Sequence, residues 1–155
     1  MNILLAEDDE NKRDQVHGFV LSMLPDASVD TAGSYQSVLS KLLRCKYDIL
    51  LLDMTLPTFD KGAGDSSGRL RPFGGVDLLD QISRRSIDVN VIIVTGYDIL
   101  GNGDDAVSLD ELRLDLKRKF PAHFHRAVSY SRSEEQWKDD LRSAIQSLET
   151  PQRQK

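Results

Sequence analysis

Three apolar runs in this chain of 155 residues end in groups able to do chemistry. Asn2 to Ala6 stops at Glu7-Asp8-Asp9, Tyr47 to Leu52 stops at Asp53, and Val89 to Val94 stops at Thr95. Uninterrupted runs of this length suit buried strands of a parallel sheet, and the ligand site of such a sheet lies beyond the carboxyl ends of its strands. Carboxylates from the first and third strands would then share one cleft with a threonine hydroxyl. Carboxylates held that close repel unless a cation sits among them, and an all-oxygen donor set with open positions suits Mg2+, which keeps waters and often binds substrate phosphate. The chemistry implied is phosphoryl transfer. Carboxylates hold the metal, the metal neutralises phosphoryl oxygens, the Thr95 hydroxyl donates to an anionic oxygen, and one aspartate is free to be nucleophile.

The elements that must position these groups are legible as alternating patterns. Val16, Phe19, Val20, Met23 and Leu24 recur with helical spacing until Pro25 closes the helix. Ala27 to Ala32 reads as a second, weaker strand, and Ser34 caps a helix striped by Tyr35, Val38, Leu39, Leu42 and Leu43. Val76, Leu78, Leu79 and Ile82 predict a third helix, and the capping box Ser108-Leu109-Asp110-Glu111 opens a fourth with Leu112 and Leu116. Ala127 to Tyr130 is the predicted fifth strand. A second capping pattern, Ser133 to Gln136, precedes a closing helix striped by Trp137, Leu141, Ala144, Ile145 and Leu148. Five strands alternating with five helices predict an α/β fold, a doubly wound five-stranded parallel sheet with right-handed crossovers.

Two stretches fall outside that plan. Residues 54–75 carry five of the ten glycines and no helical or strand period, so they are expected to form an insertion, with Lys61, Arg69, Arg71, Phe59, Leu70 and Phe73 offering a partner surface. The segment Gly62 to Gly68 lacks the Gly-Lys-Ser/Thr ending of a phosphate-cradling loop. Gly96 to Val107 has the same glycine-rich character. One domain over residues 1–148 is expected, with 149–155 as a tail or linker.

Composition narrows the function. The chain is 39% hydrophobic and 29% charged with five prolines, which fits a folded domain, and its longest apolar runs fall far short of the ~18 residues of a membrane span. No membrane segment or signal peptide is read, and a single cysteine, Cys45, allows no internal disulfide, so the cytoplasm is the expected compartment. Twenty basic against 25 acidic residues give a net charge of −5, which disfavours a surface built to neutralise nucleic-acid phosphates. His123 and His125, flanking Phe124, read as surface or strand-edge histidines, Trp137 as core, and Arg113, Lys117, Arg118 and Lys119 as a solvated helix end.

The segments Ile-Leu-Leu-Ala-Glu7-Asp8-Asp9, Tyr-Asp-Ile-Leu-Leu-Leu-Asp53-Met-Thr-Leu-Pro57 and Val-Ile-Ile-Val-Thr95-Gly96 resemble, in order and interval, the receiver domain of two-component response regulators, the CheY-like domains. The resemblance covers about residues 1–148. It implies a flavodoxin-like (βα)5 fold in which Asp53 is the phosphoacceptor, Asp8 a direct Mg2+ ligand, Glu7 its acidic neighbour acting through water, and Thr55 the source of a backbone carbonyl ligand. Thr95 would supply the hydroxyl that moves onto the phosphoryl group, and Gly96 would leave room for it. The implied partners are a sensor histidine kinase or phosphotransfer protein and a downstream protein effector, with no direct contact to nucleic acid or membrane. The face of the fourth helix, fifth strand and fifth helix would carry the output and is the candidate homodimer surface. No enzymatic turnover is expected beyond self-catalysed phosphoryl transfer and slow autodephosphorylation.

The chain departs from that pattern in one chemical respect. Receivers carry Lys-Pro after the fifth strand, where the ammonium pairs with the phosphoryl group, and no Lys-Pro stands here. The position falls within Tyr130-Ser131-Arg132, so the cation is either absent or replaced by Arg132, and Tyr130 is the candidate switch aromatic. The alternative is a pseudo-receiver, a protein-interaction module independent of phosphorylation. The strand ending at Asp53 is also similar to that of haloacid-dehalogenase-type phosphohydrolases, but those want a second Asp where Thr55 stands, and a larger cap.

Overall fold

The computed structural model describes residues 1–57, 74–96, 99–100, 107–131 and 134–149. Its order is β1 (Asn2–Ala6), α1 (Glu10–Met23), β2 (Ser28–Ala32), α2 (Tyr35–Arg44), β3 (Ile49–Leu52), α3 (Gly74–Arg84), β4 (Asn90–Thr95), β5 (Ile99–Leu100), β6 (Val107–Ser108), α4 (Leu109–Lys119), β7 (Phe124–Ser129) and α5 (Gln136–Glu149). Five strands form one parallel sheet in the order β2-β1-β3-β4-β7, the doubly wound arrangement expected from sequence. Strand order reverses between β1 and β3, which puts the carboxyl ends of these two strands at the switch point.

Side chains alternate across each strand, so each apolar run feeds two cores. Leu4, Leu50, Leu52, Val91 and Ile93 pack with α2, α3 and α4 residues such as Val38, Leu79 and Leu112. Ile3, Leu5, Ile49, Leu51, Ile92 and Val94 pack with Val16 and Val20 of α1 and with Trp137, Leu141 and Ile145 of α5. Burial on both faces is why β3 reads as an unbroken apolar run: all four of its residues are buried. Among the described residues, no helix is long and apolar enough to cross a membrane.

The caps are where the sequence places them. The Ser34 hydroxyl accepts from Ser37 N at 3.1 Å, and Ser108 accepts from Glu111 N at 3.1 Å while Glu111 Oε1 accepts from Ser108 N at 3.0 Å. The cap expected at Ser133 lies outside the described residues.

Three boundaries differ from expectation. The last strand of the sheet runs Phe124–Ser129 rather than 127–130, because Phe124 and Val128 face inward on an edge strand whose polar residues, His125 and Arg126, hide its start. A register irregularity at Val91 and Ile92 accommodates this longer pairing with β4. The interval 54–75 is not wholly an insertion: Met54 and Leu56 are fully buried, Pro57 O accepts from Tyr35 N at 2.8 Å, and α3 already begins at Gly74. Residues 58–73, where the remaining glycines and the expected partner surface fall, lie outside the described residues. Within the stretch before α4, Ile99–Leu100 pairs antiparallel with Val107–Ser108.

Candidate functional site

Backbone hydrogen bonds set three strand ends side by side. Glu7 N donates to Ala32 O at 2.9 Å, continuing the β1 to β2 pairing, and Asp53 N donates to Ala6 O at 3.1 Å, continuing β3 along β1. Thr95 closes β4, and its carbonyl accepts from Tyr130 N at 2.8 Å. Glu7, Asp53 and Thr95 are buried at 2%, 4% and 0% exposure, unusual for such polar groups unless they are paired or bind something. Glu7, Asp8 and Asp53 each bring a carboxylate oxygen within 4.8 Å of the others.

A fourth charged side chain enters this cleft from α1. Asp9 is the N-cap of that helix and accepts from Lys12 N at 2.9 Å, while Glu7 Oε2 accepts from Asp9 N at 3.0 Å. This cap fixes the first helical turn so that Lys12 turns inward, at 8% exposure. Its Nζ lies 2.7 Å from Glu7 Oε1, 2.8 Å from Val94 O and 3.4 Å from Asp53 Oδ1. It also sits 5.5 Å from the centre of the Tyr130 ring. Sequence reasoning missed Lys12 because a charge in the first turn of a helix usually faces solvent. The signal was present: Lys12 stands four residues before Val16 and thus extends the buried stripe of α1 by one turn.

The electrostatics follow from burial. Desolvation pushes the Glu7 carboxyl up to about 7; the Asp53 charge adds to the rise, and the Lys12 contact opposes it. One ammonium against three carboxyl groups leaves an anionic excess, and all donors offered by Glu7, Asp8 and Asp53 are oxygens, so the residues fit a hard divalent cation such as Mg2+. The Thr95 Oγ1 is buried with no hydrogen-bond partner among the described residues. An unpaired buried hydroxyl costs about 1–3 kcal/mol, and its place at this strand end leaves a donor available for an anionic ligand.

The residues singled out from sequence distribute as follows. Glu7, Asp8, Asp53 and Thr95 are brought to the same end of the sheet. Thr55 is close, and its hydroxyl donates to Asp53 Oδ2 at 3.2 Å. Gly96 has open space, with Tyr130 O the nearest atom to an added Cβ at 3.9 Å. Tyr130 is half-buried and stacks at a tilt on Trp137, 5.0 Å between centroids. Arg132 lies outside the described residues. The two histidines stand apart from the site: His123 Nε2 contacts Ile87 O, and His125 Nε2 contacts Ala144 O and Ser147 Oγ.

No protein-family model matches the chain. The uncharacterized protein y4jR of Sinorhizobium fredii is 29% identical over 150 residues, spanning 96% of this chain and 99% of its own length. The Detocs response regulatory protein DtcB of Enterobacter cloacae is 27% identical over 150 residues, spanning 96% of this chain and 100% of its own. Among solved structures, a CheY-like receiver domain protein from Methanospirillum hungatei aligns with a TM-score of 0.64 at 18% identity, covering 99% of this chain and 98% of that one. The response regulator TrrA of Thermotoga maritima, in complex with Mg2+ and beryllofluoride, aligns with a TM-score of 0.59 at 21% identity, covering 92% and 97%. This chain has the flavodoxin-like receiver fold, and the resemblance carried by its three motifs is borne out.

Proposed function

We propose that this chain is a cytoplasmic signalling receiver that accepts a phosphoryl group on Asp53 with Mg2+ held at Glu7, Asp8 and Asp53, and that it thereby switches contacts with a protein effector. The observation that carries this reading is the coincidence, at one end of the sheet, of three converging carboxylates and the buried hydroxyl of Thr95, which has no partner among the described residues. The relatives add support: one is named a response regulatory protein, and one solved neighbour holds Mg2+ with beryllofluoride.

Each side chain has a definable task. An Asp53 oxygen bonds to phosphorus as the bond from phosphorus to the donor nitrogen breaks, and the electron pair leaves with the imidazole of a sensor histidine kinase or phosphotransfer protein. The Thr55 hydroxyl, donating to Asp53 Oδ2, steadies the plane of the attacking carboxylate. Thr95 donates to a phosphoryl oxygen, which would give its hydroxyl the partner it lacks among the described residues. Bound Mg2+ would offset charge on the phosphoryl oxygens. The backbone carbonyl of Thr55 is the proposed further metal ligand, and Gly96 leaves space for the Thr95 movement.

Intact mass after treatment with Mg2+ and acetyl phosphate tests the reading. The expected result is one added phosphoryl group on the wild type and none on Asp53→Ala. An unlabelled wild type would instead favour the pseudo-receiver, a constitutive interaction module.

A further inference from the structure

Lys12 is a buried ammonium that touches the proposed nucleophile, and none of the sequence motifs includes it. We infer that Lys12, delivered from the first turn of α1, is the cation that pairs with the phosphoryl group on Asp53; this rests on the phosphoacceptor reading above. Among the described residues, no other basic side chain forms an ion pair with Asp53.

The contacts define how it would act. An ammonium has three N–H donors. Two point to atoms that form no bond to phosphorus, Glu7 Oε1 at 2.7 Å and Val94 O at 2.8 Å, and these anchor Nζ between β1 and β4. The longest contact, 3.4 Å, is the one to Asp53, the residue on which the new bond to phosphorus is proposed to form. When that bond forms and the donor leaves with its electron pair, a carboxylate of one negative charge becomes an acyl phosphate of two. The added charge appears beside a cation already held in place by Glu7 and the Val94 carbonyl. At 8% exposure the ammonium is little screened by water, so its effect on that charge is larger than an exposed lysine could exert. The Val94 contact also puts Lys12 next to Thr95, so hydroxyl and ammonium approach the phosphoryl group from one strand end.

The geometry also explains how the chain dispenses with Lys-Pro. The cation that the resemblance would place after the last strand comes instead from the first helix, on the same carboxylates. A purely structural role, in which Lys12 only neutralises Glu7 and Asp53, is the competing account, and it makes a different prediction for the metal.

The test compares wild type with Lys12→Met, which keeps length without charge, and Lys12→Arg, which keeps charge. Mg2+ affinity is read from Trp137 fluorescence without any phosphodonor, and labelling of Asp53 by intact mass with acetyl phosphate. Lys12→Met is expected to bind Mg2+ at least as tightly as wild type, because a competing cation has gone, yet to label at least tenfold more slowly. Lys12→Arg should recover part of the rate. Labelling of Lys12→Met within twofold of wild type overturns the inference, as does parallel loss of Mg2+ binding and labelling, the mark of a structural role. A wild type that does not label at Asp53 defeats the receiver reading itself, and this inference with it.

Discussion

Thr95 sits at 0% exposure with an Oγ1 that meets no partner among the described residues, which leave this polar group unsatisfied. Such a cost is retained where a ligand later supplies the missing bond. Thr95→Val, which removes the hydroxyl at nearly constant volume, should therefore leave thermal stability unchanged or raise it by the equivalent of about 1 kcal/mol. The same variant should lose the beryllofluoride-dependent change in Trp137 fluorescence while still binding Mg2+, and an unaltered response would remove Thr95 from the mechanism. At this scale the carboxylates and Thr95 were legible because each ends an apolar run, and a polar residue there must lie at the sheet's carboxyl edge. Lys12 was not, because its neighbours Asn11 and Arg13 disguise a buried position as part of a solvated turn.

Helix α3 bears directly on the site through one glycine. A Cβ at Gly75 would lie 2.7 Å from Met54 Sδ, 3.1 Å from Met54 Cα and 3.3 Å from Asp53 O, and Gly75 N donates to Met54 O at 3.1 Å. The helix start thus rests on the backbone that carries Asp53. Gly75→Ala gains helix propensity of up to about 1 kcal/mol but overpacks against this backbone at a cost of about 1–3 kcal/mol. Urea denaturation should show a net loss of stability, and Mg2+ affinity should fall as the Asp53 segment shifts; a stabilised variant with intact affinity would contradict the close contact. Sequence reading placed the glycines here in an insertion because it weighed composition over 54–75 as one unit. The physical division is finer: Met54 to Pro57 belong to the core and to the β3 end, and Gly74–Gly75 belong to α3. Strand β7 was shortened for a related reason, since an edge strand with polar residues has weak alternation to read.

The stability of the whole molecule should respond to pH through two groups of opposite sign. Burial lowers His125 below the ordinary value of 6.5, with Arg126 and Lys117 adding to the effect. A histidine whose folded value is depressed contributes stability above 6.5 that is lost as pH falls, because the unfolded chain takes up the proton more readily. Glu7, raised from 4.5 to about 7, contributes stability present below 4.5 that is lost as pH rises through 7. The two partly cancel, so the expected signature is a difference: between about pH 7.5 and about pH 5.5 the wild type should lose stability relative to His125→Gln, measured by chemical denaturation. Parallel curves would show that His125 titrates alike in both states. The five-stranded architecture itself was the most legible scale, since burial of β1, β3 and β4 on two faces leaves a pattern no surface strand shares.

The position of Lys12 also bears on the order in which the molecule assembles. Glu7, Asp8 and Lys12 are close neighbours in the chain, whereas the contacts from Lys12 to Asp53 and Val94 span 41 and 82 residues. The turn between β1 and α1, closed by Asp9, can therefore bring Glu7 and Lys12 together at small entropic cost before any distant strand docks. When β3 then aligns on β1, its Asp53 meets a counter-ion already in position instead of a bare carboxylate. A short-range pair of this kind would admit a strand end otherwise repelled from its neighbour, so Lys12→Met is expected to slow refolding, measured by stopped flow, beyond any effect on unfolding.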